Sequence, residues 1–365
     1  MAEALSAEER IDRLRLIRSD SIGPVTYRQL LARFGSACAA LAAIPDLAAR
    51  GGGRPPRLAD RAAILREMEQ VARIGAHYLF MGEASYPSLL AEVDSAPPVL
   101  IVKGEPALLA RQSVAMVGAR NASAAGCRFA RGLAHKLGEE GTIIVSGLAR
   151  GIDSAAHDGS IETGTIAVVA GGIDIFYPPE NEARQRAIGE RGLVLAEQPP
   201  GTEPHARHFP SRNRIIAGLS LGTVVVEAAP RSGSLITARL AADFGREVMA
   251  VPGSPLDPRA QGCNLLIRDG ASLVQTAEDV LEAISPLRAI PLREPGGDYQ
   301  PVPTPAEVTE DERQALGSLL GRTPVAVDEL LRQSGLAAAA VHTSLLELEL
   351  AGRLERHAGG RVSLA

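Results

Sequence analysis

Tryptophan is absent from the 365 residues, phenylalanine occurs six times, and only two of the 38 basic side chains, Lys103 and Lys136, are lysines. Positive charge is therefore carried almost wholly by arginine, whose planar fork suits phosphate. Cysteine is equally scarce. Cys38, Cys127 and Cys263 are widely spaced with no CxxC pair, which excludes a disulfide framework and a zinc ribbon and leaves three thiols expected to be buried. No apolar run approaches the roughly 18 residues needed to cross a bilayer. The opening MAEALSAEER is acidic where a signal peptide is basic, so a cytoplasmic protein with no membrane association is expected. GxGxxG, GxSxG, HExxH and GxxxxGKS/T are all missing, which removes support for a dinucleotide fingerprint, a serine hydrolase, a zincin and a P-loop. His205 and His208 form an HxxH without a third ligand nearby, so no metal and no cofactor is expected.

The net charge of −5 argues against a uniformly basic surface but permits arginines to cluster on one face. A hydrophobic content of 45% supports a folded chain with sizeable cores, and the pattern divides it into parts. Residues 1–80 read as a helical domain of the helix-hairpin-helix/SAM-like kind, most clearly where Tyr27, Leu30, Leu31 and Phe34 line one helix face. Gly35 is suited to close that helix and Ser36 to open the next. Such hairpins either hold DNA phosphates through backbone N–H groups or serve for docking.

Residues 81–285 alternate short β-branched runs with helix-length segments. Val114–Val117, Ile143–Val145, Ile166–Val169, Val194–Leu195, Val224–Val226 and Val248–Val251 are apolar throughout, as strands buried on both faces are. The fold class is α/β, a Rossmann-like, doubly wound, mostly parallel sheet. Residues 286–305 carry six prolines and Gly296-Gly297 and read as a linker. Residues 306–365 give three helices and a hairpin, a winged helix. From 301 onward there are six arginines against nine acids, and the third helix, Ala337 to Leu350, has no arginine. That balance is wrong for neutralising duplex phosphate, so the winged helix is expected to contact protein or to regulate, and to be dispensable for binding a strand.

Ligands of such sheets sit beyond the carboxyl ends of the strands. There the sequence places Gly118, Ala119 and Arg120; Ser146, Gly147, Ala149 and Arg150; Phe209, Arg212, Asn213 and Arg214; and Ser232, Gly233 and Ser234. Glycines let a ligand approach the backbone, helix starts offer free N–H groups, and arginines add charge. Asp153 is expected to cap its helix or orient Arg150, His157 to be structural, and Phe176 and Tyr177 to pack. Phe209, one of few aromatics, is a candidate to stack on a base.

The ordered strings VGAR, SGLARGIDSAAH, AGGIDIFYP, FPSRNRIIAGLS, VVEAAPRSGSLITARLAADFGREVMAVPG and GCNLLIRDGA resemble the DprA/Smf family, over roughly residues 85–280. The resemblance implies a non-enzymatic protein that binds single-stranded DNA, protects incoming DNA, dimerises and loads RecA recombinase in natural transformation. It also implies a DNA pocket at the GxR and SGxA loops. Family members often line that pocket with lysines and place serine or threonine where Ala119 stands. A dimer interface is expected at Leu265, Leu266 and Ile267, on the premise that these follow the last strand at an uncovered sheet edge. The alternative is a nucleotide-binding or nucleotide-cleaving enzyme of the lysine-decarboxylase-like phosphoribohydrolase type, although its PGGxGTxxE loop is missing.

Overall fold

The computed structural model describes residues 5–288, 308–357 and 359–365. Most of the expected linker, from residue 289 onward, lies outside the described residues, and Pro286 stands inside a helix. Contacts divide the chain into two compact units, one holding Glu67–Gly296 and the other joining Ala4–Arg66 to Gly297–Ala365.

In the second unit, α1 (Ala7–Arg18), α2 (Pro24–Phe34) and α3 (Ala37–Arg50) form the helical bundle. Gly35 closes α2 in the left-handed region at φ 76°, and the Ser36 hydroxyl caps α3 by accepting from Ala39 N–H. The helix α4 (Arg61–Arg73) then leads into the first unit.

That first unit is built on a nine-stranded sheet. In chain order its elements are β1 (His77–Phe80), α5 (Ser88–Ala91), β2 (Val99–Gly104), β3 (Ser113–Val117), α6 (Ala124–Glu139), β4 (Ile143–Ser146), α7 (Ile152–Ser160), β5 (Thr165–Gly172), α8 (Glu182–Arg191), β6 (Leu193–Gln198), α9 (His208–Leu219), β7 (Gly222–Val225), α10 (Ser234–Asp243), β8 (Glu247–Ala250), α11 (Gln261–Arg268), β9 (Ser272–Leu273) and α12 (Ala277–Arg288). The sheet order is β1-β2-β6-β5-β4-β3-β7-β8-β9; β3 to β9 run parallel, and β2 and β1 continue antiparallel beyond β6. Alternation along β3 sends Val114 and Met116 to a core with α6, α7 and α12, while Ala115 and Val117 face α9, α10 and α11. Burial on both faces is why these strands are apolar without interruption. The chain winds from β3 outward to β6 and returns to β7 on the other side of β3, so the topological switch lies between β3 and β7.

The winged helix follows: α13 (Glu310–Leu319), β10 (Val325–Ala326), α14 (Val327–Ser334), α15 (Ala338–Leu350), β11 (Leu354–His357) and β12 (Arg361–Leu364). Its sheet order is β10-β12-β11. Its third helix, α15, serves two cores. Val341 and Leu345 join Leu316, Leu330 and Val362, whereas Leu346 and Leu350 join Tyr27, Leu30, Leu41 and Ile44 of the N-terminal helices. A Cβ on Gly51 would stand 2.1 Å from the Glu347 carbonyl oxygen, so the backbones meet where only glycine fits. Arg353 donates to the Gly51 carbonyl at 3.1 Å, and Glu347, 1% exposed, pairs with Arg313 at 2.8 Å. Two domains expected separately from the two ends of the chain thus share one core.

No single helix among the described residues is long and apolar enough to cross a membrane. The three thiols differ from expectation, since only Cys263 is buried, Cys127 is half-buried and Cys38 is exposed. Cys38 stands on the outer side of α3, whose inward positions are Ala37, Ala40, Leu41 and Ile44.

Candidate nucleic-acid interface

The loops at the carboxyl ends of β3, β4, β5 and β7 enclose two adjoining hollows that share Arg120, Ala149, Phe209 and Arg212. The first, about 540 Å³ including its mouth, is walled by Gly147, Gly171, Tyr177, Pro178, Pro204 and Phe209. The second opens over the switch point, where Asn121, Asn213, Arg231, Ser232, Gly233 and Arg259 line it. Together they make a trough with an apolar, aromatic end and an arginine-rich end.

Arg120 is exposed at the head of this trough, its guanidinium carbon 5.2 Å from the Phe209 ring centre. Phe209 in turn meets Tyr177, with ring centres 5.6 Å apart and planes tilted by 56°. Tyr177 is 46% exposed, so it is a wall of the hollow and not the packing residue that its sequence context suggested. Phe176 does lie against protein, beneath Arg186 at 4.5 Å. Arg150 is exposed, with its guanidinium 3.8 Å from Glu180.

Arg212 plays another part than the one read from sequence. It is 6% exposed, and its Nη1 donates to the carbonyls of Gly147 and, at 2.7 Å, of Val168. Burial holds its pKa down to about 10, against the pull of Asp153. A Cβ on Gly147 would fall 2.0 Å from that Nη1, so this glycine admits the arginine and not a ligand. Ser146 points into the sheet, donating to the Met116 carbonyl at 2.6 Å. Arg214 is held in an ion pair with Glu197. Asn213 reaches the Gly233 carbonyl at 3.4 Å, and the Ser232 and Ser234 hydroxyls bond each other at 2.7 Å. Gly118 and Ala119 are half-buried, and a Cβ on Gly118 would strike Ile152 of α7 at 2.6 Å.

The two loops that most resemble phosphate cradles are occupied by the protein itself. Asp153, buried, accepts from the N–H groups of Gly147 at 3.2 Å and Ala149 at 3.3 Å, so it closes its own loop and does not orient Arg150. Desolvation raises its pKa, opposed by Arg212. Glu227 accepts from Ser123 N–H at 2.8 Å and from the Ser123 hydroxyl, above the start of α6.

His157 is structural, as expected: it is buried, with Nδ1 2.7 Å from the Thr165 hydroxyl. Burial, assisted by Arg184, pushes its pKa down to about 3. The unfolded chain takes up this proton near pH 6.5 and the folded one does not. The folded state is therefore favoured above that pH and loses the advantage as pH falls toward 3, by at most about 1.4 kcal/mol per pH unit. A His157→Asn variant is expected to show a smaller drop in urea midpoint between about pH 7.5 and pH 5 than the parent. Equal drops would remove His157 as the source.

The expected dimer residues stand on α11, before β9 and not after the last strand. Leu265, Leu266 and Ile267 are half-buried, with Leu266 and Ile267 packed on the core, while Leu273 of the edge strand β9 is 48% exposed. Sequence reading left Tyr177, Asn121, Arg231 and Arg259 out of the site. For Arg231 a signal existed, since it shares its loop with Ser232 to Ser234; for Tyr177 none did.

The fold and the trough define a Rossmann-like protein whose strand-end hollow sets exposed arginines beside an exposed Tyr177 and a half-buried Phe209. Residues 77–285 match the family described as DNA recombination-mediator protein A, residues 7–70 a DprA-like N-terminal HHH domain and residues 300–360 a DprA winged helix domain. Protein Smf of Synechocystis is 35% identical over 329 residues, covering 80% of this chain and 81% of its own. The structure of DNA processing protein A from Streptococcus pneumoniae is 43% identical with a TM-score of 0.58, covering 61% of this chain and 78% of that one. DNA processing protein A from Helicobacter pylori, described for its single-stranded DNA binding mode, is 27% identical with a TM-score of 0.52, covering 58% and 95%. The chain belongs to the DprA/Smf family of DNA recombination-mediator proteins.

Proposed function

We propose that this protein binds single-stranded DNA in the trough, protects the strand in the cytoplasm and loads a RecA-type recombinase onto it, as a homodimer and without catalysing a reaction. The observation that carries the reading is the row of Arg120, Phe209 and Tyr177 at the mouth of the first hollow. An exposed ring offers a face to an unpaired base, whereas a base inside a duplex has both faces covered. Arg120, Arg150 and Arg231 are exposed along the same trough and supply the charge that a phosphate backbone requires. Asn213, Ser232, Gly233 and Ser234 flank that path, and Arg212 acts from behind it by fixing the Gly147 loop. The description of the Helicobacter relative supports the choice of a single strand. For the dimer, the support is the edge strand β9 with exposed Leu273 beside α11.

The test is a salt titration of a fluorescent oligonucleotide, single-stranded beside double-stranded, with sedimentation at micromolar protein. The native chain is expected to prefer the single strand and to sediment as a dimer. Arg120→Ala with Arg150→Ala is expected to cost about 1–3 kcal/mol per lost charge-assisted contact. The salt slope should flatten by roughly 0.7 for each phosphate contact removed. A folded double variant with unchanged affinity and slope would take these loops out of the site, and a monomer of full affinity that still speeds recombinase filament formation would remove the dimer.

A further inference from the structure

At the switch point the chain has placed a carboxylate where α/β proteins of this topology offer a helix start to phosphate. β3 and β7 are neighbours in register, Val117 beside Val225, and the loop after each opens onto the same crevice. Glu227, two residues past the end of β7, reaches across to the loop after β3. Its Oε2 accepts from the Ser123 N–H at 2.8 Å and its Oε1 from the Ser123 hydroxyl. A Cβ on Gly126, in the first turn of the 16-residue α6, would lie 2.6 Å from Oε1, so the carboxylate is seated against the helix start itself. The positive end of the helix dipole favours a negative charge there.

A cap alone does not account for this. Ser123 already caps α6, its hydroxyl accepting from Gly126 N–H at 2.9 Å. Glu227 is held besides at φ 67°, in the left-handed region that residues with a Cβ avoid. An unfavourable backbone is thus maintained at a residue whose side chain fills the crevice. One strand over, Asp153 also takes loop N–H groups, those of Gly147 and Ala149, but from within its own helix α7.

We infer that Glu227 is a built-in substitute for phosphate that determines specificity. It closes the switch-point cradle to the phosphates of free nucleotides and leaves anions to be met only by the arginine side chains of the trough. A binder of this kind is not saturated by the cell's nucleotides and responds to a strand, which makes many arginine contacts at once. The inference rests on the reading of the trough as a strand site, but the cradle can be tested without a strand.

Glycine adopts φ 67° freely, so Glu227→Gly removes the carboxylate while relieving the backbone. By calorimetry and thermal shift, that variant is expected to bind ADP and inorganic phosphate at least tenfold more tightly than the native chain, and adenosine no better. Glu227→Gln, which keeps the shape and can still accept from Ser123, is expected to gain little. A folded Glu227→Gly protein with no gain for phosphate or ADP overturns the inference, as does an equal gain in Glu227→Gln, which would assign the effect to charge in general. Should the glycine variant fail to fold, Glu227→Asn, whose short side chain tolerates the left-handed region, takes its place under the same criteria. Oligonucleotide binding by the native chain is measured in parallel. Its absence would sink the strand reading and leave the cradle result standing.

Discussion

Replacing Arg212 with methionine is expected to lower folding stability by about 3–5 kcal/mol, the usual cost of removing one partner from a buried charged arrangement. The guanidinium is buried, donates to the carbonyls of Gly147 and Val168, and faces Asp153 in the same interior. Without it two carbonyls lose a donor and the Asp153 carboxylate is left desolvated with only the weaker influence of Arg120 to offset its charge. Lysine should not fully rescue the loss, because a compact ammonium lacks the planar guanidinium that lies over Gly147 while one of its nitrogens serves both carbonyls. The pH dependence has a definite sign. Asp153 already has a pKa above the ordinary carboxylate value, and losing Arg212 raises it further. In the window between the two values the folded state holds a proton that the unfolded chain has released, so stability falls as pH rises through it. The deficit relative to the native chain should therefore shrink on acidification. Urea unfolding of both proteins near pH 5 and near pH 7.5 measures it, and a variant with a native midpoint at both would deny Arg212 this role. Strand affinity should fall as well, through the unsupported Gly147 loop.

Leu346→Ala and Leu350→Ala are each expected to cost about 2–5 kcal/mol, as buried leucine truncations do. The loss should be felt by α1–α3 as much as by the winged helix, because these side chains are 2% and 1% exposed within the shared core. Ending the chain before residue 306 is the extreme case. The sequence suggests that such a protein keeps its strand affinity, and the arginines of the trough are indeed all elsewhere. Its N-terminal helices, however, would expose Tyr27, Leu30, Leu41 and Ile44 and are too few residues to hold a core alone. Hydrogen exchange in α1–α3 is expected to rise to near the unprotected rate after truncation. Protection that persists would show that the helical bundle stands without its partner.

The central strands were legible because parallel strands covered on both faces read as unbroken β-branched runs. β1 and β2 escaped because they join the sheet antiparallel, with no crossover helix to mark them and only four residues in β1. Both terminal domains were legible by type, but not their union: Leu346 and Leu350 look like ordinary core positions of a third helix, and nothing local names their partner. In the site, Arg120, Arg150 and Phe209 stand exposed or half-exposed at the trough, where loop chemistry placed them. Arg212 did not follow that logic, although a signal was available. It occupies the first position of the stripe 212, 215, 216, 219, whose other members Ile215, Ile216 and Leu219 are the buried face of α9. Residue type indicated charge, and helical phase indicated burial; the phase decided.

Joining the two ends of the chain in one core also sets a schedule for synthesis. The helices α1–α3 leave the ribosome before the sheet, yet Leu346 and Leu350, which complete their apolar face, are made some 300 residues later. At about 5–20 residues per second that interval is roughly 15–60 s, far longer than helices need to form. Throughout it the nascent chain carries the uncovered apolar face of α1–α3 while the Rossmann-like sheet is completed behind it. Helices translated before the sheet are thus finished after it, which leaves Tyr27, Leu30, Leu41 and Ile44 open to aggregation in the interval.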